Sequence, residues 1–168
     1  MLKAKYFILL ICFSFLLKTE AKVTLTSIWG DNMVLQQQSE VTFSGTATSG
    51  KRVQATASWN NKKIQTNVDA KGEWKLSLQT PVAGGPYSIT FSDGEDLTLQ
   101  NILIGEVWFC SGQSNMEMPV KGFRGQPVFG SQPYIVSANP KRPLRFYTVK
   151  NAWSTIPQEA GVDGEWKE

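Results

Sequence analysis

The sequence contains no histidine. That absence removes the usual general base of serine hydrolases and the commonest metal-binding side chain. Cysteine is scarce too. Cys12 and Cys110 stand 98 positions apart, which makes neither a zinc-binding pattern nor a dense disulfide framework. The glycine-rich stretch Gly122-Phe123-Arg124-Gly125-Gln126-Pro127 lacks the spacing and the lysine of a phosphate-binding loop, and reads as a surface loop. No metal and no cofactor are expected. Charge is also thin, with 17 Lys and Arg against 14 Asp and Glu, a net of +3. Lys3, Lys5 and Lys18 against Glu20 place +2 of this in the first 21 residues and leave +1 for the rest, so nothing favours nucleic acid as a partner.

Long apolar runs are confined to one place. Tyr6 to Leu17 is an apolar stretch of about a dozen residues behind Lys3 and Lys5, and Thr19-Glu20-Ala21 is a tolerable small-x-small cleavage site. The stretch is short for a membrane span. Residues 1–21 are therefore expected to be a secretory signal, the protein to be secreted or periplasmic, and no stable membrane span to remain after processing. An uncleaved anchor is the alternative. Ile11 before Cys12 is too large for a lipoprotein cleavage box. With the signal removed, Cys110 is the one cysteine left, and its apolar neighbours predict a core position.

What remains is ordinary globular material, 41% apolar and 18% charged over 168 residues, enough for one domain or for a small domain and a piece of another. Residues 22–100 read as β structure throughout. Val23 and Leu25 alternate with threonines, Met33-Val34-Leu35-Gln36 follows a Gly30-Asp31-Asn32 turn, and Val41, Phe43 and Gly45 share one face. Val53, Ala55, Ala57 and Trp59 alternate up to a two-residue turn at Asn60-Asn61, beyond which Ile64, Thr66 and Val68 predict the return strand of a hairpin. Trp74, Leu76 and Leu78 form the next face after Asp69-Ala70-Lys71-Gly72. A loop over 81–86 leads to Tyr87, Ile89 and Phe91, and Leu97 and Leu99 follow Asp93-Gly94-Glu95. No helical apolar stripe appears. Seven or so short strands at this spacing predict an immunoglobulin-like β-sandwich. Trp59 and Trp74 could line a sugar-binding face, but their phase with apolar neighbours favours core packing.

The pattern changes after residue 100. Val107-Trp108-Phe109-Cys110 is apolar without alternation, the signature of a strand covered on both faces, as in a parallel sheet flanked by helices. Ser111-Gly112 breaks it, and Gln113-Ser114-Asn115 follows. A strand, a tight turn and a helix would set the Ser114 hydroxyl at the carboxyl edge of a sheet, where open α/β folds carry their sites. Backbone N–H groups at the helix start could stabilise an oxyanion there. Met116 stands where the α/β-hydrolase elbow G-x-S-x-G has its second glycine, so that motif is excluded. An ordinary Gly/Ser turn is the bland alternative. Further on, Tyr134 to Asn139 predicts a short helix ended by Pro140, Leu144 to Val149 a strand, and the remainder through Trp166 a loop.

Gly105-Glu106-Val107-Trp108 followed by Gly112-Gln113-Ser114-Asn115-Met116 resembles the nucleophile block of the sialate O-acetylesterase family, within the SGNH (GDSL-like) hydrolases. The start Met33 to Gln36 is similar to that family's N-terminal region. The resemblance implies that Ser114 is a nucleophile whose own N–H joins the oxyanion hole, that Gln113 and Asn115 contact substrate, and that the partner is an acetylated sugar or glycan. It also implies a fold of mixed class: a β-sandwich at 22–100, then an incomplete N-terminal part of a parallel-sheet α/β SGNH domain at 101–168. The family's Asp–His pair has no counterpart, so the chain is expected to be inactive alone. A non-catalytic secreted glycan-binding or spacer module is the competing expectation.

Overall fold

The structure, a computed structural model, describes residues 22–139, 143–156 and 163–167; the expected signal lies outside the described residues. The first eight strands are β1 (Thr24–Leu25), β2 (Val34–Gln36), β3 (Glu40–Thr46), β4 (Arg52–Ala57), β5 (Lys63–Asn67), β6 (Glu73–Gln79), β7 (Gly84–Ser92) and β8 (Asp96–Gly105). Two short helices follow, α1 (Ser114–Glu117) and α2 (Gln132–Val136), then β9 (Phe146–Val149) and β10 (Gly164–Lys167).

The strands of the first part form two sheets around one core. One has the order β1-β3-β6; the other has the order β2-β8-β7-β4-β5. The pairings are antiparallel except for β2 with β8, which run parallel with Gln36 opposite Gly105. Alternation dictates the core. Val53, Ala55 and Ala57 of β4, Trp74, Leu76 and Leu78 of β6, and Ile89 and Phe91 of β7 are all buried, while their neighbours along each strand face outward. Phe43 from the smaller sheet meets Phe91 from the larger at 5.3 Å between ring centroids, and Trp29 and Trp74 extend the cluster. Trp74 is thus a core residue. Trp59 is half-buried, packs edge-on to Tyr87 at 5.7 Å and donates its indole N–H to the Gln79 carbonyl.

Turn chemistry fixes the connections. The Asp69 carboxylate accepts from the backbone N–H groups of Lys71 and Glu73, each at 2.8 Å, and Gly72 takes a positive φ of 84°. The β4–β5 connection is longer than the two residues expected. Trp59 belongs to a loop over 58–62, where Asn61 adopts a φ of 53° and the Asn60 side chain accepts from the Lys62 N–H.

Several expectations for the second half differ from what the structure holds. Val107 to Cys110 is not a strand and is not buried: Trp108 is 84% and Phe109 93% exposed, and Cys110 is exposed rather than a core residue. An apolar run is buried only where other layers cover both its faces, and among the described residues none flanks this one. The strand at 146–149 forms, but in an antiparallel hairpin with β10, where a loop was expected. That hairpin is its own two-stranded sheet, so the described residues contain no parallel sheet beyond the β2–β8 pair. The expected division at residue 100 falls inside β8, whose Ile102 and Ile104 are buried in the core of the first part. The helix expected at 134–139 begins two residues earlier, at Gln132.

Candidate active site

The route to Ser114 begins where β8 leaves the core. Parallel pairing of β2 with β8 sets Gln36 and Gln37 beside Glu106, some seventy positions away in sequence. The Gln36 and Gln37 amides donate to the Glu106 carboxylate at 3.2 and 2.6 Å, and the Val107 N–H donates to the Gln36 side-chain oxygen at 2.9 Å. These two donors, Gln37 foremost, hold the Glu106 carboxyl below the ordinary glutamate range. The exit of the chain from the body is thereby pinned by side chains, beside the last backbone bond, from the Gln37 N–H to the Gly105 carbonyl at 2.9 Å. The family-like segments Met33–Gln36 and Gly105–Trp108 are neighbours in space.

Beyond that anchor residues 107–113 are exposed and irregular, and α1 opens with Ser114. Gln113 is its N-cap residue, with no side-chain cap bond, and the Met116 N–H donates to the Gln113 carbonyl at 2.9 Å. The Ser114 and Asn115 N–H groups belong to the helix start, where no intrahelical acceptor exists. A side chain at Gly112 would crowd Met116, since a Cβ there would stand 2.8 Å from its Cγ. Gln113, Ser114 and Asn115 are all exposed on this one turn. The other end of α1 is tied down: the Asn151 amide donates to the Glu117 carboxylate at 2.7 Å.

The β9–β10 hairpin is fastened to the two-sheet body at two points. The Trp166 indole N–H donates to the Ile28 carbonyl at 2.8 Å. The Arg145 guanidinium donates to the Asn101 carbonyl and, at 2.9 Å, to the Asn101 side-chain oxygen. Neither fastening nor the Glu106 cluster was visible in sequence. Glu106 and Gln36 both lay in family-like blocks, but no periodicity pairs residues that far apart. Among the described residues, no group of three or more acidic, cysteine or histidine side chains could hold a metal ion, and the chain offers no imidazole to take the Ser114 proton.

No family model matches the chain. Individual proteins do. A solved carbohydrate acetylesterase from Xanthomonas citri superposes with a TM-score of 0.74 and 31% sequence identity, over 86% of this chain and 32% of that one. The protein is therefore a structural and sequence homologue of a carbohydrate-directed acetylesterase. More particularly, it is a homologue of the sialate O-acetylesterases. It is 30% identical to the one from Rattus norvegicus over 146 residues, and 33% identical to the one from Mus musculus over 141 residues. Those alignments cover 80% and 78% of this chain. The chain spans about a quarter of the length of these relatives, 26% and 24% respectively.

Proposed function

We propose that these residues are the leading part of a carbohydrate O-acetylesterase in which Ser114 is the nucleophile. The observation that carries this reading is the G-Q-S-N-M block, set on an exposed helix start in a chain homologous to sialate O-acetylesterases over four fifths of its length. In this reading the two-sheet body is an immunoglobulin-like sandwich, and the segment beyond it begins an SGNH hydrolase domain. The protein works outside the cytoplasm, after loss of residues 1–21. Ser114 Oγ attacks the acetyl carbonyl carbon, and the Ser114 N–H donates to the oxyanion that develops. The sugar oxygen leaves with a proton, and water then cleaves the acetyl-enzyme to acetate. Gln113 and Asn115 contact the substrate beside the reacting bond. The base that takes the Ser114 proton must come from outside these residues, because an unassisted serine hydroxyl is a weak nucleophile near neutral pH.

The test is hydrolysis of p-nitrophenyl acetate by two proteins. The 168-residue chain alone should show no turnover above background. Turnover that Ser114→Ala abolishes would show that it carries its own base. In a longer form that includes a histidine base, Ser114→Ala should lower kcat by several orders of magnitude, up to about a millionfold, with unchanged Tm. A near-normal rate in that variant would refute the assignment of Ser114.

A further inference from the structure

The turn that carries Ser114 has little of its own to hold it. α1 is four residues long, has no side-chain cap bond and buries no side chain. That is far below the roughly 12–15 residues at which an isolated helix is marginal in water. Its orientation therefore depends on contacts with other elements. Asn151 supplies one, donating its amide to the Glu117 carboxylate at 2.7 Å. Glu117 closes the turn that Ser114 opens. Asn151 lies two residues beyond β9, and Lys150 between them is held by its N–H bond to the Asp163 carbonyl at 2.8 Å.

The other end of β9 is fastened to the body. Arg145 immediately precedes β9, and its guanidinium reaches both the carbonyl and the side-chain oxygen of Asn101, the latter at 2.9 Å. A planar fork bonded twice to one residue fixes direction as well as distance. Asn101 is itself held. It sits at a bulge where β8 carries one residue more than β7, between the Tyr87–Ile102 and Ile89–Leu99 pairs, and it takes a left-handed φ of 55°. Its amide donates to the Asn32 side-chain oxygen at 2.7 Å, and Asn32 has a left-handed φ of 64°. Arg145 and Asn151 thus bracket β9, one bonded to the body and the other to α1. Between them β9 is stiffened by its ladder with β10, whose Trp166 bonds Ile28 of the body. A continuous path of bonds runs from the β8 bulge through Arg145, β9 and Asn151 to Glu117. The Glu106 cluster holds the near end of the exposed stretch 107–113, so the serine turn is held between two fixings on the same body.

We propose that Asn151 and Arg145 are positioning residues for Ser114. The Asn151–Glu117 bond sets the serine turn against β9, and Arg145 sets β9 against the two-sheet body. The effect on rate rests on the reading of Ser114 as nucleophile; the coupling itself does not. Backbone amide shifts of the isotope-labelled 168-residue chain test the coupling. Asn151→Ala, at an exposed position, should shift the amides of 114–116 and leave Tm unchanged. Arg145→Ala should shift the same amides, and should no longer do so once Asn151→Ala has cut the path. Asn151→Asp places a carboxylate against that of Glu117 and should shift them further. Glu117→Gln added to it restores the bond with donor and acceptor exchanged, and should return those amides toward their original positions. In a longer form that includes a histidine base, Asn151→Ala should lower kcat about ten- to hundredfold with KM little changed, and the exchanged pair should recover it. Amides at 114–116 that ignore Asn151→Ala, or an Arg145→Ala effect that survives it, would overturn the proposal. So would an unchanged kcat in a longer form that Ser114→Ala inactivates. A near-normal rate in Ser114→Ala would refute the nucleophile instead, and the amide shifts would still decide the coupling.

Discussion

Phe43→Ala is the substitution that most directly tests whether the two sheets share one core. Phe43 is fully buried on β3 of the smaller sheet. Its ring lies 4.5 Å from Trp29 and 5.3 Å from Phe91, the latter on β7 of the larger sheet. Truncation removes the transfer free energy of a benzyl group and leaves a cavity that strands fixed by ladders on both sides cannot close. Phenylalanine-to-alanine changes in such sites cost about 3–5 kcal/mol, and the lost aromatic pairs lie toward the upper end of that range. Against a total stability of roughly 5–15 kcal/mol for a domain, that is a large share. Urea unfolding followed by tryptophan fluorescence measures it, since Trp29 and Trp74 lie in the same aromatic cluster. The midpoint should fall steeply with little change in slope, and unfolding should remain a single transition. Phe129→Ala is the control. That side chain is fully exposed, and its loss should stay within about 0.5 kcal/mol. A loss below about 1 kcal/mol at Phe43, or two separate transitions, would show that the sheets are not packed as one unit.

Two other outcomes follow from the structure. Limited proteolysis should leave a resistant fragment ending near residue 105 rather than 100, because Ile102 and Ile104 are core residues, with early cuts in the exposed stretch 107–130; a single resistant unit running past residue 150 would refute this. Glu106 should titrate below an ordinary glutamate by carboxyl NMR. A depressed folded pKa means that its contribution to stability is present above the unfolded-state pKa and is lost as pH falls through the folded one; an unshifted midpoint, or no upward move in Gln37→Ala, would contradict the hydrogen bonds seen.

The sequence by itself determined the strands of the first part. Val53, Ala55 and Ala57, or Trp74, Leu76 and Leu78, can face one core only if the chain is extended, because a two-residue period has no other geometric reading. It also determined the chemical character of Gly112 to Met116, since the resemblance to sialate O-acetylesterases rests on residue identity, and the comparisons bear out that homology across the chain. Tertiary structure decided what depends on partners distant in sequence. The apolar run Val107 to Cys110 looks the same whether or not other layers cover it, and here it lies exposed. β8 continues through residue 105 because parallel pairing with β2 and the Gln36–Glu106 bond hold it there. β10 exists because Trp166 and its neighbours find β9, and because the indole of Trp166 reaches Ile28, 138 positions away. The bulges between β7 and β8 were invisible for the same reason: a one-residue mismatch between two paired strands belongs to the pairing, and neither strand alone encodes it.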